Sequence, residues 1–280
     1  MCELLNKESQ QLKSLNLAAD QYTASPDFRR KELPVRFSTT NDSTMVEFRG
    51  VEYDQVTSDL TGGLWFQYHP DRPKTYLIPK YDSQIPSVMV SIPEAYIIPP
   101  EWTDVIGRLK FHGINYFVLG KPVELTVQSY IFKNPVWSKS PYEGRFPLDV
   151  KYDSITEVRD YPAGSVVIPT NQRTARVIAN LFEPGAPDSF VSWGFFNTIF
   201  EQKEYAENYV MERVAREMLA KDPLLQAEFE KKKAEDPQFA KDQFAELNWF
   251  YQRSPWRDVK LNVYPVGKIY DKRALDNISK

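Results

Sequence analysis

Histidine limits the chemistry open to this chain, because the sequence contains only two, His69 and His112. Pro70-Asp71-Arg72 follows the first and Gly113-Ile114-Asn115 follows the second, so neither belongs to a His-x-x-Glu or His-Glu-x-x-His motif. Zinc-dependent hydrolysis needs two or three imidazole or carboxylate ligands and a general-base carboxylate. We therefore predict that the chain holds no metal ligand. His69 is expected in a surface turn, and His112 at the C-terminal end of a helix, where its charge suits the helix dipole.

Nucleophilic and acid–base catalysis find as little support. The sequence contains no Gly-x-Ser-x-Gly elbow, no Gly-x-Gly-x-x-Gly and no P-loop. Cys2 lies beside the chain start, where a positioned base is hard to build. Glu201, Glu204 and Glu212 could form an acid pair, although their charged surroundings are more typical of a solvated helix face. We predict no catalytic residue, no cofactor-binding residue and no metal site.

Aromatic residues are the remaining candidates for binding, since the chain contains 6 tryptophans and 16 tyrosines. Exposed rings stack on sugar faces, so a glycan platform is one reading of this composition. Trp102 lies on an apolar helix stripe and Trp193 lies within a run of apolar residues. We therefore expect most of the rings in the core, and an aromatic ligand platform stays the alternative.

Composition excludes several classes of protein. The 280 residues carry a net charge of −3 and show no basic stripe, so we expect no nucleic-acid partner. No apolar run reaches the roughly 18–20 residues that cross a bilayer, and residues 1–20 contain no apolar signal-peptide core. The single cysteine rules out an intramolecular disulfide but does not fix the compartment.

Periodicity predicts the elements of the first half of the chain. Residues 2–24 read as a polar helix that ends before Pro26, and residues 34–91 as β-structure with a turn at Gly62-Gly63. Residues 95–119 form a strand–helix–strand unit, which predicts a parallel pair of strands. The core face of that helix is expected to contain Trp102, Val105, Ile106 and Leu109.

The second half contains both sheet and helix signals. Residues 122–132 and 146–158 alternate, which predicts antiparallel strands. Residues 162–182 echo the strand and helix of 95–119; a weak internal repeat and an ordinary strand–Pro–helix corner both explain this. Helices are expected from residue 209 and at Asp222-Pro223 and Asp236-Pro237, with a last strand at 261–264.

These elements predict an α+β protein with a mixed β-sheet body, two covering helices and a helical C-terminal arm. The expected divisions are an N-terminal helix or connector at 1–33, a mixed α+β body at 34–200, and an arm at 201–280 packed on the body. Phe239, Phe244 and Phe250 are the residues expected to dock the arm.

Three stretches carry a family resemblance: residues 92–113, 161–184 and 188–219. The most specific is Ser-Trp-Gly-Phe-Phe-Asn at 192–197, followed by Phe-Glu-Gln-Lys-Glu-Tyr at 200–205. Together they resemble the region that follows the catalytic domain in large bacterial M14-type zinc metallocarboxypeptidases. The resemblance covers roughly residues 90–265. That family draws its zinc ligands from a His-x-x-Glu motif and a later histidine, and no position here matches them.

The resemblance implies a non-catalytic accessory region that docks on, or shapes, a peptidase domain of the same parent protein. Zinc would belong to that missing catalytic domain, and the parent would be periplasmic or secreted. Homo-oligomerisation is left open. One alternative is a glycan- or peptide-binding module that uses exposed aromatics, and another is an independent hydrolase with an unrecognised site. An exposed apolar patch beside the first helix favours docking, and a row of solvent-facing Trp and Tyr favours ligand binding.

Overall fold

The computed structural model describes residues 2–279, apart from the side chains of Cys2 and Leu4. The first third of the chain contains α1 (Cys2–Lys7), α2 (Ser9–Ala24), α3 (Pro26–Arg29), β1 (Glu32–Thr39), β2 (Thr44–Thr57), β3 (Leu64–Lys80) and β4 (Gln84–Ser91). The middle contains β5 (Ala95–Ile98), α4 (Thr103–Leu109), β6 (Phe117–Val118), β7 (Val123–Trp137), β8 (Leu148–Tyr161), β9 (Val166–Pro169) and α5 (Ala175–Phe182). The last third contains α6 (Asn208–Lys221), α7 (Pro223–Glu235), α8 (Gln243–Tyr251), β10 (Gly267–Ile269) and α9 (Lys272–Ile278). The α+β class is confirmed.

The body is built on a six-stranded sheet in the order β6-β9-β5-β10-β7-β8. Every pairing in it is antiparallel, so the predicted parallel pair, and with it the mixed sheet, is wrong. The strand–helix–strand unit does send β5 and β6 in the same direction. However, β9 lies between them and pairs antiparallel with both. The two strands that looked like an internal repeat, β5 and β9, are therefore hydrogen-bonded neighbours.

Helices cover both faces of the sheet. The predicted core face of α4 is confirmed, because Val105 and Leu109 are fully buried and Trp102 and Ile106 pack against the same core. On that face α5 adds Ile178 and Phe182. The opposite face is buried under α9, through Ala274, Leu275 and Ile278. The central strands β5, β9 and β10 are buried along almost their whole length, which is the burial pattern of a sheet with two covered faces.

The segment 32–91 forms a two-stranded ribbon rather than several short strands. The base is the β1–β4 pair, whose Leu33, Val35 and Val90 are buried against α5. Beyond it β2 and β3 pair from Thr44–Lys80 to Thr57–Leu64, with a bulge between Val51 and Glu52, and turn through Gly62, whose φ is +70°. Neither β2 nor β3 contains a buried residue. The ribbon is therefore anchored at one end only.

Residues 208–251 form a helical arm with a core of its own. Asp222 starts α7 by accepting hydrogen bonds from the backbone N–H groups of Leu224 and Leu225, as predicted. The start predicted at Asp236 yields only a 3₁₀ turn, Phe239–Lys241, because the next helix is capped by Asp242. The predicted docking role of three phenylalanines is wrong. Phe239 and Phe250 pack on Met211 and Phe229 inside the arm, and Phe244 is 56% exposed.

The chain then returns to the body. The strand predicted at 261–264 lies instead at Gly267–Ile269, and β10 sits between β5 and β7 near the centre of the sheet. Gly267 allows this close passage, because a Cβ there would meet the Tyr161 hydroxyl and Val127. The divisions proposed at residues 33 and 200 stay predictions, but residues 267–278 contact the body. Across residues 2–279 no helix has the length and apolarity to cross a bilayer.

Candidate functional site

A buried ion pair lies at the centre of the body. The Lys268 ammonium is 3.0 Å from the Glu183 Oε1, and their side chains are 4% and 1% exposed. The Tyr96 hydroxyl donates to the Oε1 at 2.6 Å, and the Tyr130 hydroxyl donates to the Oε2 at 2.6 Å. Lys268 also donates to the Tyr130 oxygen at 2.8 Å. Both carboxylate oxygens are therefore satisfied, as a buried carboxylate requires.

Four elements position this cluster, which we call the Glu183 network. Glu183 is the residue after α5, and its N–H closes the helix on Ala179 at 2.9 Å. Tyr96, Lys268 and Tyr130 belong to β5, β10 and β7, which are consecutive neighbours in the sheet. The network thus fastens the covering helix to three central strands.

Burial changes the ionisation of the tyrosines around the network. Desolvation, and next the charge of Glu183, raise the pKa of Tyr96, Tyr130 and Tyr264 well above the ordinary 10.0. The same two causes raise the pKa of Tyr152 and Tyr270. The negative charge inside the body therefore resides on the carboxylate, and the phenols act as neutral hydrogen-bond donors.

A groove of about 500 Å³ opens beside the network. Lys268 lies at its floor, with the Nζ 5.0 Å from the Tyr130 ring centre and 5.7 Å from that of Tyr270. Gln128 and Ser154 add polar groups to its wall. The groove can offer aromatic faces and hydrogen bonds to a ligand. The Lys268 ammonium and the Glu183 carboxylate are already paired with each other, so their main role is to stabilise the fold.

A second groove, of about 460 Å³, lies between the ribbon base and the far end of the β7–β8 hairpin. We call it the tryptophan groove, because Trp137, Tyr142 and Trp193 line it together with Arg36 and Asp149. The rings of Tyr142 and Trp193 are 5.9 Å apart. The Trp137 indole N–H donates to the Asn197 Oδ1 at 3.1 Å, which holds that ring in place. Aromatic faces beside a guanidinium and a carboxylate suit a polar ligand with an apolar face.

The two histidines lie far apart in the fold. The turn predicted at His69 is wrong: the residue lies in β3, because the ribbon extends through it. The His69 Nε2 is 2.8 Å from the Asp54 Oδ2. His112 lies in the turn after α4, where its backbone N–H donates to the Leu109 carbonyl at 3.2 Å. Within residues 2–279, no three His, Cys, Asp or Glu side chains gather as a metal-ligand group.

The other candidate side chains form no catalytic pair either. Glu201 pairs with Lys203, and Glu212 pairs with Arg216 at 2.5 Å, four residues along α6. Glu204 is exposed. These carboxylates lie on solvated surfaces, as the charge pattern indicates. The Cys2 side chain falls outside the described part of the structure.

Sequence reasoning missed the Glu183 network. A signal was available, since Lys268 interrupts the apolar run Val266-Gly267-Lys268-Ile269 and Glu183 directly follows the apolar face of α5. A charge inside an apolar segment points to a buried partner, because an unpaired buried charge is costly. Their separation of 85 positions hid the pairing.

Comparison with known proteins gives a partial match. The chain is 35% identical to Carboxypeptidase 2 of Trichophyton equinum over 37% of its own length and 19% of that protein. It is 33% identical to Carboxypeptidase 2 of Trichophyton tonsurans, over 37% of the chain and 19% of the relative. For Carboxypeptidase 2 of Trichophyton rubrum the identity is also 33%, over 39% of the chain and 20% of the relative. The matched part thus spans about a fifth of these relatives.

No protein-family model matches the chain. No solved structure matches it either. The relatives establish a carboxypeptidase-like relationship over part of the chain. They are fungal, so the bacterial origin, the M14 assignment and the place after a catalytic domain stay predictions.

Proposed function

We propose that this chain is a non-catalytic accessory region of a carboxypeptidase-like protein, and that it docks on and shapes the peptidase domain of its parent. The observation that carries the proposal is the match to a fifth of three carboxypeptidases at 33–35% identity. The resemblance of residues 192–205 to the region that follows an M14-type catalytic domain supports the same role. Zinc chemistry would then belong to the partner domain.

The N-terminal helices supply the docking surface. Leu5, Leu15 and Leu17 are 49%, 60% and 56% exposed, with Leu15 and Leu17 on nearly opposite sides of α2. The last turns of α2 are attached to the body, where Thr23 is buried and Asp20 pairs with Arg173 at 3.5 Å. Exposed leucines on a helix that is attached at one end favour a protein partner, because solvation of this apolar area is unfavourable.

The Glu183 network gives the body the rigidity that a docking platform needs. It joins α5 to β5, β10 and β7 through hydrogen bonds of 2.6–3.0 Å. A rigid body lets the partner domain bind without a large ordering cost.

Reconstitution tests the proposal. We expect the chain to bind an M14-type zinc carboxypeptidase domain from the same source, and Leu15→Ser with Leu17→Ser to weaken binding at least about tenfold. Leu224→Ser is the matched control, because Leu224 is a helix-surface leucine of the arm that is 83% exposed. Alone, the chain should retain no stoichiometric zinc after dialysis and should release no C-terminal residue from blocked dipeptides. Tightly held zinc with chelator-sensitive turnover would refute the accessory role.

A glycan- or peptide-binding module is the second candidate, and the tryptophan groove is the observation that favours it. Trp137 and Tyr142 are 38% and 60% exposed and border Arg36 and Asp149. Glycan-array binding that is lost in Tyr142→Ala but kept in Tyr209→Ala would support this candidate, since Tyr209 is an exposed tyrosine on the arm. If no glycan on the array binds the chain, and no peptide from a library shields the groove residues from solvent, the glycan- or peptide-binding hypothesis is wrong.

A further inference from the structure

The far part of the ribbon, β2 with β3, has an exposed aromatic face. Tyr53 pairs with Tyr68, Gln55 with Phe66, and Thr57 with Leu64. Paired residues and residues two apart share one face of a β-ribbon. Tyr53, Leu64, Phe66 and Tyr68 therefore lie together, and we call them the ribbon face.

Ring distances agree with this register. The Tyr53 ring lies 5.4 Å from that of Phe66 and 6.0 Å from that of Tyr68. The opposite face carries Glu52 and the Asp54–His69 pair, with Val56 and the half-exposed Trp65 nearest the tip. The ribbon face is therefore the more apolar of the two faces, and the rest of the chain leaves it uncovered.

A two-stranded ribbon is only marginally stable alone in water, so a face of this kind needs a cover. The ribbon face and Leu60 at the tip are 47–89% exposed. At about 200 Å² per large side chain, they offer about 600 Å² to a partner.

Charge indicates which surface fits. Residues 52–71 contain four carboxylates, Glu52, Asp54, Asp59 and Asp71, and no lysine or arginine. The hairpin segment 133–151, which borders the tryptophan groove, contains four cations and two carboxylates. Among these cations, Lys133, Lys139 and Lys151 are exposed, and Lys133 is paired with Asp153. The acidic aromatic tip thus complements the net positive hairpin segment at the edge of the groove, while the charges of the groove lining itself, Arg36 and Asp149, balance each other.

The distance along the ribbon indicates that a contact between tip and groove would join two copies of the chain. Arg36 lines the groove and belongs to β1 at the ribbon base. Of the residues between Arg36 and the end of β2, about 17 lie in the paired strands, which span roughly 56 Å at 3.3 Å per residue. A tip therefore cannot fold back along its own extended ribbon into its own groove.

We propose that two copies of the chain associate through a two-fold axis, with the ribbon tip of each in the tryptophan groove of the other. The groove lies at the ribbon base, so one tip-to-base contact generates the second by symmetry and the assembly closes. The two tips alone remove about 1,200 Å², which reaches the range of stable interfaces. This inference is independent of the proposed docking on a peptidase domain.

Sedimentation velocity on the full 280-residue chain, from about 1 to 100 µM, tests the interface. We expect a dimer, and Phe66→Ser with Tyr68→Ser should weaken it at least about tenfold. Trp256→Ser is the matched control, since Trp256 is an equally exposed aromatic on another surface, at 65%. Circular dichroism checks that each variant is folded. A chain that is monomeric throughout, or a dimer that survives the ribbon substitutions, overturns the inference.

Charge reversal and cross-linking keep the test independent of folding losses. Asp59→Lys with Asp71→Lys should weaken the dimer, and Lys139→Glu with Lys151→Glu in the same chain should restore it. In a Cys2→Ser background, Leu60→Cys with Ser138→Cys should give a disulfide-linked dimer, whereas Leu60→Cys with Lys221→Cys should not. Failure of the rescue together with absence of the cross-link refutes the tip-to-groove contact. Protection of the ribbon face only after a peptidase domain is added would assign that face to another partner.

Discussion

Removing the cation from the Glu183 network is the perturbation with the clearest energetic consequence. Lys268→Met keeps most of the side-chain volume in β10 but leaves Glu183 as an unpaired charge that is 1% exposed. Breaking a buried ion pair from one side costs about 3–5 kcal/mol, because the remaining charge keeps its desolvation penalty and loses its partner. We place this variant within that range, since Tyr96 and Tyr130 still donate to the carboxylate.

The matching double variant separates the charge effect from the packing effect. Lys268→Met with Glu183→Gln removes both charges, and replacement of a whole buried pair is often close to neutral. The double variant should therefore recover at least about half of the loss caused by the single one, which would appear as a coupling energy above about 1 kcal/mol. Lys133→Met is the surface control, because the Lys133–Asp153 pair is 57% and 60% exposed and should contribute less than about 1 kcal/mol.

Guanidinium melts followed by tryptophan fluorescence and by circular dichroism measure these differences. Agreement of the two probes shows that one transition is being followed, which a chain with a separate arm core requires as a check. A loss below about 1 kcal/mol for Lys268→Met, or a double variant as unstable as the single one, would show that the network does not fasten α5 to the sheet.

Three further outcomes follow from the packing. Leu109→Ala should lower the free energy of unfolding by about 2–5 kcal/mol, since Leu109 is fully buried; a loss below about 0.5 kcal/mol in denaturant melts would contradict the assigned face of α4. Burial raises the pKa of Tyr161 from 10.0 to about 12, so the unfolded chain loses that proton first and stability falls as pH rises from 10 to 12. Tyr161 contributes up to about 1.4 kcal/mol per pH unit to this fall, beside the buried tyrosines around Glu183. Tyr161→Phe should make the slope shallower by that amount in melts recorded across this range, and an unchanged slope would contradict it. A short Gly-Ser linker that joins residue 202 to residue 253 would delete the arm, since the side chains of Gln202 and Gln252 are hydrogen-bonded at 3.1 Å and the two ends are therefore close. This deletion should lower the body's melting temperature by no more than a few degrees. Aggregation of the body would instead indicate that the arm docks on it.

Local sequence signals predicted the helices, turns and caps better than they predicted which strands pair in the sheet. The helix face with Val105 and Leu109, the turn at Gly62-Gly63 and the cap at Asp222 depend on residues a few positions apart, and the structure has all three. The parallel pair failed because β9, about 50 residues after β6, inserts between β5 and β6. The apolar spacing of 95–119 contains no information about that insertion.

The functional surfaces show the same division. The pairing of Glu183 with Lys268 and the place of β10 depend on residues at opposite ends of the body, so periodicity could not reveal them. The phenylalanines of the arm illustrate a different limit. Their spacing showed that Phe239 and Phe250 would be buried, but not whether the covering surface would be the body or the arm itself.

The native form of the protein tests the accessory role most directly. An antibody against this chain should be used to purify the protein from its source, followed by peptide mapping and by an assay for release of C-terminal residues. We expect a peptidase segment with a His-x-x-Glu motif to be recovered with the chain, in the same polypeptide, and the sample to release C-terminal residues in a zinc-dependent way. Recovery of a 32.6 kDa protein with no peptidase segment and no such activity would contradict it.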